Sequence, residues 1–379
     1  MRIFEHVNID FMGKRKFFYT LSSILFLIGV LSAIFRGFAF GIDFKGGTEI
    51  LLQFQKPMTV GQLRPEIENI GLGNIELKSY GGSNSFIIRT ELQSVPHPLF
   101  PGIIKRINNQ IESQYPGLPY QIVDSTTKSV TYNFPNPDTT NALADKLFRA
   151  GFQTSRAAAD LNNTKMTVSI GISDLIKINL KEKIKDNSFT VLKEDQVGPK
   201  VGGELKKNAV IAVFLSLLMI LIYLALRFKF VFAAGAVIAL FHDVLITLGL
   251  YLLLFNVVPG LNLEIDLTTV AAFLTLIGFS INDTVIVFDR VREMLKIHKT
   301  MPIGEVINLA VNKTLSRTII TSGTVVFSAL ILVLFGGEVI RAFSVTMLFG
   351  VIIGTYSSVF VASALVYDYA INTKKKLQF

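Results

Sequence analysis

The stretch Leu267–Arg292, LTTVAAFLTLIGFSINDTVIVFDRVR, decides how the rest of the chain is interpreted. From Leu267 to Phe288 it is apolar almost throughout and, at about 1.5 Å per residue, long enough to cross a bilayer as a helix. Four polar residues nevertheless lie within it: Ser280, Asn282, Asp283 and Thr284. A carboxylate at that depth costs about 2.5–3.5 kcal/mol on insertion scales, so it needs a partner, a proton or a path to water. The segment is therefore either a helix whose polar end lies near the headgroups or a helix with an intramembrane ion or proton site.

The composition is that of a membrane protein. The chain has 379 residues, of which 50% are hydrophobic and only 17% are charged. It contains no cysteine, which excludes disulfides, thiol catalysis and thiolate metal sites. The net charge of +9 comes from basic residues clustered beside apolar segments, which indicates membrane orientation rather than nucleic-acid binding.

Six apolar segments are long enough to span a membrane. The first, 17–36, follows the basic residues Lys14–Lys16 and has a cleaved signal peptide as its alternative interpretation. Its apolar run exceeds the usual length of about 7–15 residues and more spans follow, so we expect a retained helix. The other five predicted spans are 208–226, 230–254, 267–288, 318–335 and 342–367.

The charges flanking the spans predict the topology. Loop 256–266 has no lysine or arginine, and loop 336–341 has only Arg341. The opposite side is basic and holds Lys14–Lys16, Arg227 with Lys229, the run 290–313 and Lys374–Lys376. Because positive loops stay inside, we expect both termini, 1–16 and 370–379, in the cytoplasm and the domain 37–205 outside.

The external domain has an α+β pattern in which one order of elements occurs twice. Each block reads strand, helix, strand, strand, helix, strand, the βαββαβ order of the ferredoxin-like fold. Phe54 and Gly71 correspond to Phe134 and Gly151 at one constant offset. The pattern predicts two tandem modules, 46–126 and 127–196, joined near Thr126–Lys128. The alternative is coincidence, since proline, threonine and glycine often mark strand–helix junctions.

Arg317, Thr321, Thr324 and Ser328 are spaced so that they lie on one face of the fifth span. Such a polar stripe faces a bundle interior, a partner or water. Asp283 and Arg317 lie on the same side of the bilayer when counted from the cytoplasmic ends. We therefore expect them to meet, directly or through water, if the fourth and fifth spans are neighbours.

His242 and Asp243 form a second polar pair in the third span, for which Thr321 is a candidate neighbour. The pair is either a hydrogen-bonded structural unit or a functional site. Gly350, Gly354 and Ser358 have the spacing of a close helix contact. The remaining histidines form no metal set, and nucleotide-binding and hydrolase motifs are absent from the sequence. We expect no metal, no cofactor and no enzymatic activity.

Five short motifs lie at the membrane boundaries and within the spans: Phe40–Thr48 (FGIDFKGGT), Val197–Leu205 (VGPKVGGEL), Phe241–Asp243 (FHD), Gly278–Thr284 (GFSINDT) with Phe288–Arg290 (FDR), and Thr314–Thr318 (TLSRT). Their most distinctive residues are Gly41, Asp43, Gly46, Gly47, Gly198 and Pro199. In this combination the chain resembles the SecF family, the membrane partners of SecD in bacterial Sec protein export, within the RND-like superfamily.

The resemblance implies an RND-like half of a SecD–SecF pair in the bacterial inner membrane. Such pairs use the proton motive force to help draw preproteins through the SecYEG channel after the SecA motor, and YajC and YidC are further candidate partners. The family's proton-path aspartate and arginine correspond to Asp283 and Arg317, which Asn282, Ser280 and Thr284 accompany here. Family members usually have one ferredoxin-like external domain, whereas this chain has room for two.

Two other functions remain open on the sequence alone. One is an RND-type exporter of a small hydrophobic molecule, which predicts a large apolar cleft in the external domain. The other is a passive assembly subunit, which predicts that Asp283 can become asparagine without loss of function.

Overall fold

The computed structural model describes residues 8–126, 128–150, 152–156, 164–228, 230–255, 257, 261, 263–337 and 339–373. Some sequence features named above lie outside these residues: Met1–Val7, the centre of the module junction at Thr127, Gly151, Lys229, most of loop 256–262, and Lys374–Lys376. The chain divides into two compact units, one formed by 1–41 with 204–379 and the other by 42–203.

In chain order the elements are α1 (Arg15–Arg36), α2 (Ile42–Lys45), β1 (Gly47–Phe54), α3 (Val60–Glu68), β2 (Ile75–Ser79), β3 (Ser85–Thr90), a 3₁₀ turn (His97–Leu99), α4 (Phe100–Gln114), β4 (Gln121–Ser125), β5 (Ser129–Asn133), α5 (Pro137–Ala150), β6 (Gln153–Arg156), β7 (Lys165–Ser169), α6 (Ile172–Lys183), β8 (Phe189–Val197), α7 (Pro199–Arg227), α8 (Phe230–Leu254), α9 (Leu267–Ile297), α10 (Ile303–Phe335), α11 (Arg341–Ser357), a π-helical turn (Ser358–Ala362) and α12 (Ser363–Thr373).

The described residues contain six helices long and apolar enough to cross a membrane, as the sequence predicts. The chain is a multi-pass membrane protein. Several helices extend well beyond their apolar cores. In particular, α10 begins at Ile303, whereas hydropathy predicts a span from 318, and α7 begins at Pro199 instead of 208. Hydropathy marks the part of a helix suited to lipid, whereas backbone hydrogen bonding and caps decide where the helix ends.

The membrane unit is organised around α8, α9 and the last span, whose side chains are the most buried of the six. The first span packs across α8 at a pair of glycines. A Cβ built on Gly249 would lie only 2.4 Å from the Cα of Gly29, so this crossing requires glycine. Small residues of this kind let two membrane helices approach closely without a hydrophobic driving force between them.

The unit formed by 42–203 contains two antiparallel four-stranded sheets, with strand orders β2-β3-β1-β8 and β4-β5-β7-β6. The βαββαβ order therefore occurs twice, but each sheet takes its last strand from the other half of the domain. The prediction of self-contained modules 46–126 and 127–196 is wrong for this reason. The cause is local: only three residues separate β4 from β5, and Thr126 N–H donates to the Ser129 carbonyl at 2.8 Å. That tight turn pairs β4 with β5 as a hairpin, and β8 pairs with β1.

The Gly46-Gly47 signature is explained by the crowded start of β1. Both residues have left-handed backbones, with φ of +77° and +120°. A Cβ on Gly47 would lie 2.3 Å from the carbonyl oxygen of Thr90, and one on Gly46 would lie 2.9 Å from the Cα of Pro199. Both positions therefore require glycine, for the positive φ and for the space around the Cα.

We expect Gly47→Ala to destabilise β1 more than Gly73→Ala does. Both positions have positive φ, which costs a substituted residue about 1–2 kcal/mol. Gly73 has open space around its Cα, whereas Gly47 would also collide with a backbone oxygen. Hydrogen exchange of the β1 amides in the full chain measures the difference. Equal loss of protection in the two variants would contradict the crowding explanation.

Candidate functional site

The fourth span, α9, positions the polar residues predicted from the sequence. Its first turn is capped by Asp266, whose carboxylate accepts from Thr269 N at 2.7 Å. The helix then runs without a break to Ile297. Ser280, Asp283 and Thr284 lie on its buried face, whereas Asn282 is exposed. The Thr284 hydroxyl donates within the helix, to the Ser280 carbonyl at 3.3 Å.

Asp283 is almost completely buried, with 1% of its surface exposed. Its Oδ2 accepts a hydrogen bond from the Ser322 hydroxyl of α10 at 2.9 Å. Its Oδ1 is buried and has no hydrogen-bond partner among the described residues. Thr318, one turn before Ser322, likewise has a buried hydroxyl oxygen without a partner there. Such unmatched groups are costly in apolar surroundings and mark a site where a proton, a water or a partner group fits.

Arg317 interacts with Asp283 through space and not by direct contact. The fourth and fifth spans are neighbours, which was the condition for the two residues to meet, and the guanidinium is close enough for a Coulomb attraction to the carboxylate. No hydrogen bond or ion pair joins the two side chains in the described part of the chain. The direct partner of Asp283 is Ser322, which the sequence analysis did not identify.

The polar stripe predicted on α10 faces outward. Arg317, Thr321, Thr324 and Ser328 are all exposed in this chain. The three hydroxyls donate to carbonyls of their own helix, at 2.7–3.0 Å. The face turned to the bundle carries Thr314, Thr318 and Ser322, whose spacing of four residues was the available sequence signal. Thr321 is therefore not a neighbour of the His242–Asp243 pair.

His242 and Asp243 belong to a hydrogen-bonded chain through three spans. His242 Nδ1 lies 2.9 Å from Asp243 Oδ1, and His242 Nε2 lies 2.9 Å from the Ser22 hydroxyl of α1. Asp243 Oδ2 accepts from the Ser280 hydroxyl at 2.5 Å. Ser280 thus contacts Asp243 and not Asp283. Sequence reasoning missed Ser22 because a lone serine in an apolar span carries no pattern.

The last span passes close to this network, as its small-residue spacing predicts. A Cβ on Gly354 would lie 3.0 Å from Ser280 Cβ and 3.6 Å from Asp243 Oδ2. A Cβ on Gly350 would lie 2.5 Å from Leu276 Cδ2. Ser358, the third residue of the motif, is buried and begins the π-helical turn. Irregular turns of this kind frequently accompany functional sites in helices.

Of the signature residues outside β1, Gly41 and Gly198 contribute backbone hydrogen bonds and Asp43 lies in a short helix. Gly41 N donates to the Ile265 carbonyl at 2.9 Å, and Ile265 N donates to the Ala39 carbonyl at 2.7 Å, which ties 39–41 to the segment before α9. The Gly198 carbonyl accepts from Gly202 N at 2.8 Å, in the first turn of α7. Asp43 lies in the short helix α2.

Comparison with known proteins identifies the family. A sequence model of the protein export membrane proteins SecD and SecF, C-terminal region, matches residues 177–372, and one of the SecD/SecF GG motif matches 32–58. A protein translocase subunit SecF from Rhodothermus marinus is 36% identical over 97% of this chain and 95% of its own length. The chain belongs to the SecD/SecF family. A SecF from Calditerrivibrio nitroreducens is 35% identical over 95% of this chain and 93% of its own length.

The fold is also that of a solved relative. The crystal structure of SecDF from Thermus, a translocon-associated membrane protein, matches 98% of this chain with a TM-score of 0.64 and 26% identity. SecDF in a super-membrane-facing form matches 97% of this chain, with a TM-score of 0.55 and 28% identity. This chain spans only 40% and 39% of the two SecDF chains, respectively. It corresponds in length to the SecF subunits.

We expect Ser322→Ala to destabilise the membrane unit by about 1–2 kcal/mol, because it removes the one donor that Asp283 has from the described residues. Ser328→Ala is the matched control: the same residue type on the same helix, exposed and bonded only to its own backbone. That variant should stay within about 0.5 kcal/mol of the wild type. Unfolding of the purified protein by SDS in mixed micelles measures both. Equal effects would show that the Ser322 bond does not stabilise Asp283.

Proposed function

We propose that this chain is the proton-coupled SecF subunit of a protein translocase. It acts with SecD, uses the proton motive force, and assists preproteins that cross the bacterial inner membrane through SecYEG with SecA. It works as a translocation subunit and not as an enzyme. The observation that supports the proposal best is Asp283, buried in the fourth span with one oxygen held by Ser322 and the other unpartnered. YajC and YidC as partners rest on the family resemblance alone.

The geometry at Asp283 suits a group that alternates between a charged and a neutral form. The charged form is attracted by Arg317 and accepts from Ser322. The neutral form carries its own proton on an oxygen that lacks a donor. Access of water to this oxygen would let the proton enter from one side and leave from the other. Each proton that crosses the full field releases about 2.3 kcal/mol per 100 mV, enough to bias a conformational equilibrium.

SecD is the proposed occupant of the exposed polar face of α10. An arginine on a lipid-facing helix is costly, by about 2.5–3.5 kcal/mol near the helix centre. Arg317, with the hydroxyls of Thr321, Thr324 and Ser328, therefore favours a protein neighbour over lipid. A second six-span half in this position would also bring its own polar groups toward Arg317 and Asp283.

The external unit is proposed to consist of two ferredoxin-like sheets that have exchanged their last strands. The support is the strand order, in which β8 takes beside β1 the edge position that β4 takes beside β5. Exchange fastens the two halves of the domain to each other, since neither sheet is complete without the other half.

The exporter alternative has less support. A pocket that takes small hydrophobic molecules is mostly apolar, with a few polar groups. The open depression of about 400 Å³ in the external unit has a largely polar and charged lining, which includes Arg106, Asn109, Lys181, Glu182 and Lys185. The passive-subunit alternative is tested by the Asp283 variant described next.

Asp283→Asn should abolish the stimulation of export by a proton gradient, because the amide keeps the size and the Ser322 bond but cannot carry a proton. Insertion and association with SecD should be preserved. Thr275→Val, on the same helix but exposed and bonded to its own backbone, is the control. Preprotein translocation in membrane vesicles, with and without the gradient, measures both. If Asp283→Asn responds to the gradient as the wild type does, Asp283 is structural and the chain is a passive subunit.

Single cysteines test the proposed orientation, since the chain contains none. Gln114→Cys, exposed at the end of α4, should react with an impermeant thiol reagent from outside the cell. Lys299→Cys, exposed between α9 and α10, should react only after permeabilisation. Labelling of position 299 from outside would overturn the topology.

A further inference from the structure

The hydrogen-bonded chain at His242 has a fixed direction. It ends at the Phe18 carbonyl, which can only accept, so the Tyr356 hydroxyl must donate to it across 2.8 Å. That uses the one proton of the tyrosine. Ser22, 2.8 Å from Tyr356, must then donate to the tyrosine oxygen. With the serine proton used as well, His242 Nε2 must carry a proton and donate it to Ser22.

On the Nδ1 side of the imidazole, one proton is therefore shared between His242 Nδ1 and Asp243 Oδ1. His242 Nδ1 and Asp243 Oδ1 are 2.9 Å apart, a distance at which two lone pairs without a proton would repel each other. Ser280 donates to the second oxygen, Oδ2. The proton lies on Nδ1, giving an imidazolium and a carboxylate, or on Oδ1, giving two neutral groups. Both states have zero net charge, so the pair can be buried in either.

We propose that His242 and Asp243 form a second proton-holding site, in which the proton moves between Nδ1 and Oδ1 according to the charge on Asp283. The inference rests on the proposed function, in which Asp283 gains and loses a proton. In the transfer the Nδ1–H bond breaks and the Oδ1–H bond forms. The electron pair of the N–H bond stays on the nitrogen, and no other reactant is needed.

The hydrogen-bond partners of His242 and Asp243 determine which way the shared proton moves when Asp283 changes its charge. Asp243 is bonded to Ser280 of α9, one helical turn from Asp283, whereas His242 is bonded to Ser22 of α1. A negative charge on Asp283 disfavours a negative charge on Asp243, because the Ser280 bond holds the Asp243 carboxylate against α9 one helical turn from Asp283. Ionised Asp283 thus favours the proton on Asp243, and neutral Asp283 favours it on His242.

Few other titratable groups face the pair from the described elements packed against it. The last span contributes Tyr356, whose proton is committed to Phe18, and Ser357, whose hydroxyl is hydrogen-bonded to Asp243. The first span contributes Ser22 and, one turn earlier, Tyr19, which donates to Asp368 at 3.0 Å. The fourth span contributes Ser280 and then Asp283. Because the chain on the α1 side ends at a carbonyl, any exchange of the shared proton occurs on the α9 side.

Nitrogen NMR of the full chain with SecD in lipid tests this directly. The chain has four histidines, and His6, His97 and His298 can be changed to glutamine to leave His242 alone. We expect Nε2 to be protonated at every pH. The proton on Nδ1 should be pH-dependent in the wild-type background and pH-independent with Asp283→Asn. An unprotonated Nε2, or the same Nδ1 behaviour in both backgrounds, would overturn the proposal.

Tyr356→Phe tests separately whether the hydrogen bonds of Tyr356 and Ser22 force a proton onto His242 Nε2. Without the tyrosine hydroxyl, Ser22 is free to donate to Nε2, so the tautomer protonated only on Nδ1 should appear. If the tautomer population of His242 is unchanged, the Tyr356–Ser22 network does not determine that Nε2 is the donor.

Asp243→Asn gives the functional measurement. It should lose proton-gradient stimulation of export while it still copurifies with SecD. If Asp243→Asn responds normally and Asp283→Asn does not, the second site is refuted and the proposed function stands. If Asp283→Asn responds normally, the proposed function itself fails.

Discussion

A carboxylate buried between apolar helices must be matched by donors, and this constraint shapes the membrane unit. Asp243 meets it with His242, Ser280 and Ser357. Asp283 meets it only in part, with Ser322 on one oxygen. The two sites therefore differ physically. The proton of Asp243 can be shared within its hydrogen-bonded network, whereas the protonation of Asp283 depends on a proton or water that reaches its unpartnered oxygen.

Other features of the bundle follow from placing these groups. The last span can reach Ser280 and Asp243 only because Gly354 presents no side chain. The first span reaches His242 through Ser22 and crosses α8 at Gly29 and Gly249. Small residues at these crossings thus permit close packing and also let hydroxyls reach the buried polar atoms, which larger side chains would keep apart.

Sequence reasoning predicts the parts of this structure that depend on composition and period. Six spans and the buried aspartate follow from long apolar runs interrupted by Asp283. The buried face of α10 does not, since the 317–321–324–328 stripe and the Thr314–Thr318–Ser322 stripe both have helical spacing, and only packing selects the second. The strand exchange could not be predicted either. The pattern gives the order of strands along the chain but not the sheet that β8 joins. The short turn before β5 pairs β4 with β5 and so leaves the edge beside β1 to β8.

The central claim is that a proton passes through Asp283, and proton flux into liposomes tests it most directly. Liposomes that contain the complex with SecD, an internal pH indicator and an imposed membrane potential report this flux. Voltage-driven acidification is expected with the wild type and with Thr275→Val, and none is expected with Asp283→Asn. Equal acidification with the wild type and Asp283→Asn would contradict it.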